Sequence, residues 1–335
     1  MLSYHFLEDC AKHGYNFVFM YDGNIIKTTY KDTAVDYNAF MSSYDINKIV
    51  KQNPHLKTFL DPYSSKHVIY NPECWEVVNT SVEGLGKVNH LRYKGTSCTP
   101  TQPLGITNFW GLFRECTNLT ELDLSDWTIK GDIFTVASMF EDCEKLEKVK
   151  LPHLEGVQQA AKMFRNCYNL KEINWEQFSD CNLCNCSNMF ANCWRLEDFN
   201  LNKLGFSKSV NALNMFINCC NLSDKHLEGV PLGVFTNASA MFSGTGLIEV
   251  DMTKWGDIAN NNYVGMFANC NKLEKAIIVI PDGIKVDAKT IFANCKKLNE
   301  AKIFDDKNNE IYTFNANEIS MRMADDTALA PVAVF

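Results

Sequence analysis

The chain is patterned by one recurring string of apolar positions. An apolar residue and a phenylalanine stand side by side at Leu112-Phe113, Met139-Phe140, Met163-Phe164, Met189-Phe190, Met215-Phe216, Met241-Phe242, Met266-Phe267 and Ile291-Phe292. Three residues after the phenylalanine comes Cys116, Cys143, Cys167, Cys193, Cys219, Cys270 or Cys295; the sixth copy, "MFSGTGL", is one residue shorter and lacks it. A leucine follows at 119, 146, 170, 196, 222, 247, 273 and 298. Repetition at a fixed period in this range is the mark of a solenoid or repeat array.

Each copy divides into two halves. Counting from the leucine, positions +3 and +5 are apolar in most copies, as in Leu122 and Leu124, Val149 and Leu151, Ile173 and Trp175, Phe199 and Leu201, or Val250 and Met252. This alternation predicts a half-buried strand. The Met-Phe-x-x-Cys-x-x-Leu half has apolar spacings of three to four, which predicts a short helical turn on the same core. One unit cannot bury its apolar edge, so the units stack. Full burial of each Phe or Leu is worth roughly 1.5–3 kcal/mol. The repeated cysteine fits a small, dry slot beside the next coil.

These residues resemble the BspA-like leucine-rich repeats, in the variety found in mycoplasma lipoproteins and gut bacterial surface proteins. "NLTELDLSDW" (118–127) and "LIEVDMTKW" (247–255) are similar to that family's strand half, and the Met-Phe-Cys runs to its other half. The resemblance covers about 105–304. It implies an α/β, right-handed leucine-rich-repeat solenoid, here of about eight coils, and a role in adhesion or protein binding without catalysis.

Outside the array, residues 1–87 escape the period and are expected to form a small α+β N-terminal cap or attachment module. Leu2, Phe6 and Cys10 fit one face of a short helix, and "NFVFMYDGNIIKTTY" (16–30) predicts a hairpin around Asp22-Gly23. "DINKIVKQNPHLKTFLDPY" suggests a helix ending near Pro54, and "KVNHLRYKG" (87–95) a first strand of the array. The solenoid is expected over 88–304. Residues 305–335 are expected to supply a C-terminal cap, with "EIYTFNA" (310–316) as a pairing strand and the apolar "ALAPVAVF" (328–335) as a capping or docking tail.

Composition narrows the functions. The formal net charge is -8 with no basic run, which disfavours a nucleic-acid partner. No signal-peptide pattern or membrane-spanning run is visible, so synthesis in the cytoplasm is expected, with the 14 cysteines mostly as thiols. Incorporation into a virion would fit that better than the cell surface. No hydrolase, phosphate-loop or zinc-protease motif occurs, so no enzyme is expected. An N-terminal catalytic module is the remote alternative. Neither a cofactor nor a metal is expected. Cys181, Cys184 and Cys186 lie close together but lack a visible fourth ligand.

Two surfaces are candidates for binding. Position +4 after the leucine gives Asp123, Lys150, Asn174, Asn200, His226 and Asp251, a ladder that alternation turns outward, as either a binding face or a solvated one. The residue after the repeat cysteine is Tyr168, Trp194 and Cys220 in three consecutive copies, against Glu144 or Lys296 elsewhere. A buried position does not swing between Glu and Trp, so this column is expected to be an exposed interface stripe. The partner expected is a protein or a surface glycan; the alternative is neighbouring subunits of a particle such as a phage virion.

Overall fold

A computed structural model describes residues 17–21, 24–28, 54, 56–60, 67–82, 86–95 and most of 98–315. Within the last range, 101, 104–105, 107, 128–134, 198, 200, 228–231, 256–261, 281–287, 306 and 308 are excluded. The expected N-terminal helix and the apolar tail lie outside the described residues.

Three antiparallel hairpins precede the array. They pair β1 (Phe17–Tyr21) with β2 (Asn24–Thr28), β3 (Lys57–Leu60) with β4 (His67–Tyr70), and β5 (Trp75–Val82) with β6 (Gly86–Tyr93). The first is the hairpin expected around Asp22-Gly23. The segment expected as the first array strand instead pairs antiparallel, as β6. It still meets the array end-on: the Tyr93 amide donates to the Leu112 carbonyl at 2.8 Å, and the Trp75 and Tyr93 rings lie 5.7 and 5.3 Å from Phe113.

From Phe113 onward the eight phenylalanines stack in one column. Neighbouring rings are 5.3, 5.1, 5.5, 5.5, 5.7, 5.8 and 6.1 Å apart and nearly parallel. These separations suit offset aromatic stacking. The leucines and the Met or Ile positions of the repeat are buried around the column. The architecture is therefore a repeat solenoid, with one core running its length.

Parallel ladders join the coils on two sides. The leucine half supplies β7 (Glu121–Asp123), β8 (Lys148–Lys150) and β9 (Glu172–Ile173). A second ladder, absent from the expectation, precedes each Met-Phe pair and contains β10 (Leu183–Asn185), β11 (Phe206–Asn211) and β12 (Phe235–Asn237). Single bridges extend it through Thr135, Gln159 and Asn262. Farther along, the leucine half resumes as β13 (Glu249–Asp251), β14 (Lys275–Ile280) and β15 (Glu300–Asp305), and β16 (Glu310–Asn315) closes this sheet antiparallel to β15. The strand expected over 310–316 is thus paired.

The expected helical turn needs correction, and with it the α/β class. Among the described residues the only α-helix is α1 (Ala288–Ile291). Met-Phe-x-x-Cys-x-x-Leu instead folds as successive tight turns. In the second copy the amides of Met139, Glu141 and Cys143 bond back three residues, while those of Ser138, Phe140 and Asp142 bond forward to Ala161, Met163 and Arg165 of the next coil. Alternate amides serve the turn and the neighbour, so no i-to-i−4 helix ladder forms. Two left-handed residues per coil make this possible: Ser138 and Asp142, Lys162 and Asn166, Asn188 and Asn192, Asn214 and Asn218, all at φ between 54° and 64°. Asn and Asp tolerate this region better than most side chains.

Candidate binding surface

The repeat cysteine does more than fill space. The Cys143 thiol donates to the Phe113 carbonyl of the preceding coil at 3.0 Å, and Cys167, Cys193, Cys219, Cys270 and Cys295 repeat the contact at 3.0–3.2 Å. The Phe140 carbonyl accepts the Cys143 amide of its own coil and the Cys167 thiol of the next. Both lone pairs of a buried oxygen are thereby used. Burial pushes the thiols of Cys167, Cys193 and Cys219 well up, and that of Cys181 to about 12. In the shortened sixth coil Thr245 occupies the cysteine slot, its hydroxyl 2.8 Å from the Phe242 carbonyl and 3.4 Å from Cys270 Sγ.

Beside the thiols runs a side-chain ladder. Asn166 Nδ2 donates to Asp142 at 2.7 Å, Asn192 to Asn166 at 2.6 Å, and Asn218 to Asn192 at 2.8 Å. Each of these left-handed residues therefore holds its neighbour's amide or carboxylate. On the second ladder Thr135, Asn185, Asn211, Asn237 and Asn262 each accept the amide two residues on, which starts the turn.

The predicted sheet-face residues are largely engaged within the array. Asp123 pairs with Lys150 at 2.8 Å and accepts from Ser125, which holds its carboxyl down at about 2. Asn174 turns back to clasp Leu151, donating to its carbonyl at 2.9 Å and accepting its amide at 2.7 Å. Asp251 accepts from the amide and hydroxyl of Thr253. Asn200 and the His226 side chain lie outside the described residues.

The other column is different. Tyr168 and Trp194 stack on each other with centroids 4.3 Å apart and planes tilted by 30°. Trp194 is 48% exposed, the largest side chain among the exposed hydrophobics of the described residues. Cys220, next in line, is also exposed, and its thiol donates to the Asn218 carbonyl at 3.3 Å. The structure thus places Tyr168, Trp194 and Cys220 on one ridge of successive turns.

Two buried polar features escaped the sequence reading. Glu141 is buried between Arg114 (3.1 Å) and Arg165 (3.4 Å) of the flanking coils. His90 is buried against Trp110, 4.7 Å between centroids, with no hydrogen-bond partner for Nδ1 among the described residues. Burial, and the nearby Arg114 and Arg92 cations, push its pKa down to about 4. His90 lies outside the period, whereas Arg114, Glu141 and Arg165 follow the repeat phenylalanines of three successive coils, and this alternation of charge in one column was the available signal.

In the "CNLCNCSN" segment Cys181 donates to the Leu154 carbonyl at 3.0 Å, and Cys184 accepts from Gln159 at 3.1 Å. Among the described residues no three His, Cys, Asp or Glu side chains gather into a possible metal cage. Among the same residues no helix is long and apolar enough to cross a membrane.

Stacked phenylalanines, parallel ladders and a constant turn define a leucine-rich-repeat solenoid. Residues 110–223 match the BspA type leucine rich repeat region in six copies, and residues 184–303 match a family described as Mycoplasma protein of unknown function, DUF285. The chain belongs to the BspA-like leucine-rich repeat family. No curated protein and no solved structure matches it. Repeats of this kind make it a repeat protein suited to protein binding.

Proposed function

We propose that the protein is a non-enzymatic adhesion or binding protein that contacts a partner protein or surface glycan through the turn ridge of its solenoid. The observation that carries this is the Tyr168–Trp194 pair. An exposed Trp194 stacked on a half-buried Tyr168 keeps apolar surface in water that a merely structural turn would avoid, as Thr117, Glu144, Asn271 and Lys296 do at the same position. Trp and Tyr are the residues that most often anchor interfaces. The array comprises eight coils in this reading, one per stacked phenylalanine. The segments 1–87 and 305–335 are its end modules.

The test compares the full chain with the double variant Tyr168→Ala/Trp194→Ala on a panel of glycans and cell-surface proteins. Binding should be lost at an unchanged melting temperature, and bound ligand should be recovered chemically unaltered. A ligand held equally by both proteins would move the site elsewhere.

A further inference from the structure

The ridge that carries Trp194 also carries an excess of positive charge. Each coil contributes the two residues after its cysteine to the ridge. In order these are Thr117-Asn118, Glu144-Lys145, Tyr168-Asn169, Trp194-Arg195, Cys220-Asn221, Asn271-Lys272 and Lys296-Lys297, with Gly246 alone in the shortened sixth coil. Five cations stand against one acid, on a chain whose net charge is -8. Arg195, Lys272, Lys296 and Lys297 are exposed, and none makes an ion pair among the described residues. Of the acids in the adjoining strand columns, Glu147 pairs with Lys171 and also feels Arg195, Glu172 pairs with Lys148, Glu300 with Lys275 and Lys302, and Glu197 accepts from Asn221.

The tips form one line. Asn169 Nδ2 donates to the Glu144 carbonyl at 2.8 Å, Lys145 Nζ to Asn118 at 3.2 Å, and the Asn269 amide to the Ala293 carbonyl at 2.7 Å. Gaps between coils follow the phenylalanine column, 5.1–6.1 Å. The line dips once. In coil six the turn is one residue short, and a Cβ on Gly246 would stand 2.1 Å from the Cys220 carbonyl, so this turn is drawn in against its neighbour.

We propose that this ridge binds an acidic polysaccharide, a linear glycan bearing sulfate or carboxylate groups. The inference rests on the binding role assigned above and names the chemistry of its ligand. Cations spread along one line, in coils two, four, seven and eight, can meet successive anionic groups of an extended polymer. The outer face of Trp194 offers a flat apolar surface to the C–H face of one sugar ring. A protein partner fits less well: its interface needs about 800 Å² per side around a dry apolar centre, and this ridge is one or two residues wide with a single aromatic pair. Single-stranded nucleic acid wants successive free aromatic faces, one per base, whereas here the two rings cover each other.

Heparin serves as the probe, with uncharged dextran, oligo-dT and polyglutamate as comparators, on the full-length protein. Heparin should bind and weaken with salt, dextran should not bind, and oligo-dT and polyglutamate should bind more weakly than heparin. Lys272→Glu/Lys296→Glu/Lys297→Glu should lower heparin affinity on the order of tenfold or more, and Trp194→Ala several-fold, both with unchanged melting temperatures. Undetectable heparin binding at low salt, or binding indifferent to the triple variant, overturns the proposal. So does equal binding of oligo-dT or polyglutamate with no effect of Trp194→Ala, which would mark a generic polyanion surface. If heparin fails while another ligand still requires Tyr168 and Trp194, the acidic-glycan inference falls and the binding role stands. If no ligand depends on the aromatic pair, the binding role falls as well.

Discussion

The thiol of Cys167 donates to the carbonyl oxygen of Phe140, one coil earlier, at 3.1 Å. The contact explains why the repeat holds cysteine rather than alanine or valine. The slot must be small, and it must bring a donor to a buried oxygen that the turn satisfies only once.

Removing that donor has a measurable consequence. Cys167→Ala should destabilise the protein by about 1–3 kcal/mol, from an under-satisfied carbonyl plus a small void. Cys220→Ala, on the exposed ridge, should stay within about 0.5 kcal/mol of the parent. Equilibrium denaturation of the two variants checks the contrast.

The same burial predicts an alkaline limit. The thiols of Cys167, Cys181, Cys193 and Cys219 are raised above their ordinary value of 9.0, so the folded state keeps protons that the unfolded chain releases. Their contribution is complete below pH 9 and is lost as pH rises from there toward the folded values. The melting temperature should therefore fall above pH 9, and a thiol reagent should label exposed Cys98 and Cys220 in native protein and the buried set only after denaturation.

At the acid end the sign reverses. His90 is held neutral, its pKa lowered from 6.5 to about 4, so its stabilising contribution is present above pH 6.5 and is lost as pH falls toward 4. Arg92 and Arg114 sit beside it, Arg92 paired with Glu76 and Glu115 and Arg114 with Glu141. His90→Gln should flatten the stability loss between pH 6.5 and 4, as followed by thermal melts.

Asn192 tests the backbone account. Its φ is 63°, and its amide bridges Asn166 and Asn218. Asn192→Gly keeps the conformation and loses the ladder, whereas Asn192→Ala loses both. The alanine variant should be the less stable by about 1 kcal/mol or more in chemical denaturation.

Much of this was legible in the sequence because each coil repeats one register. Phe, Leu and Cys recur at positions that only a shared core explains, and the switch from Glu144 to Tyr168 and Trp194 marked an exposed column. The turn was mistyped because Met139, Phe140 and Cys143 have the same spacing on a helix as on successive tight turns. The signal that separates them was present in the Asp or Asn before Cys143, Cys167, Cys193 and Cys219, which asks for a left-handed backbone. The second ladder was missed because Thr135, Gln159 and Asn185 act through backbone and turn-starting oxygens, which leave no apolar alternation. Asn174 was placed outward by alternation, yet its amide finds both polar groups of Leu151.

One phenylalanine per coil forms a continuous column that holds the array together. Phe190 is the fourth of its eight rings, stacked 5.5 Å from both Phe164 and Phe216 and packed edge-on against Phe199. Thermal or urea unfolding of Phe190→Ala is the most direct measurement. The substitution should cost about 3–5 kcal/mol, with coils on both sides losing protection together. A melting temperature equal to the parent's would contradict it, because a ring that can be removed without cost is not part of a load-sharing core.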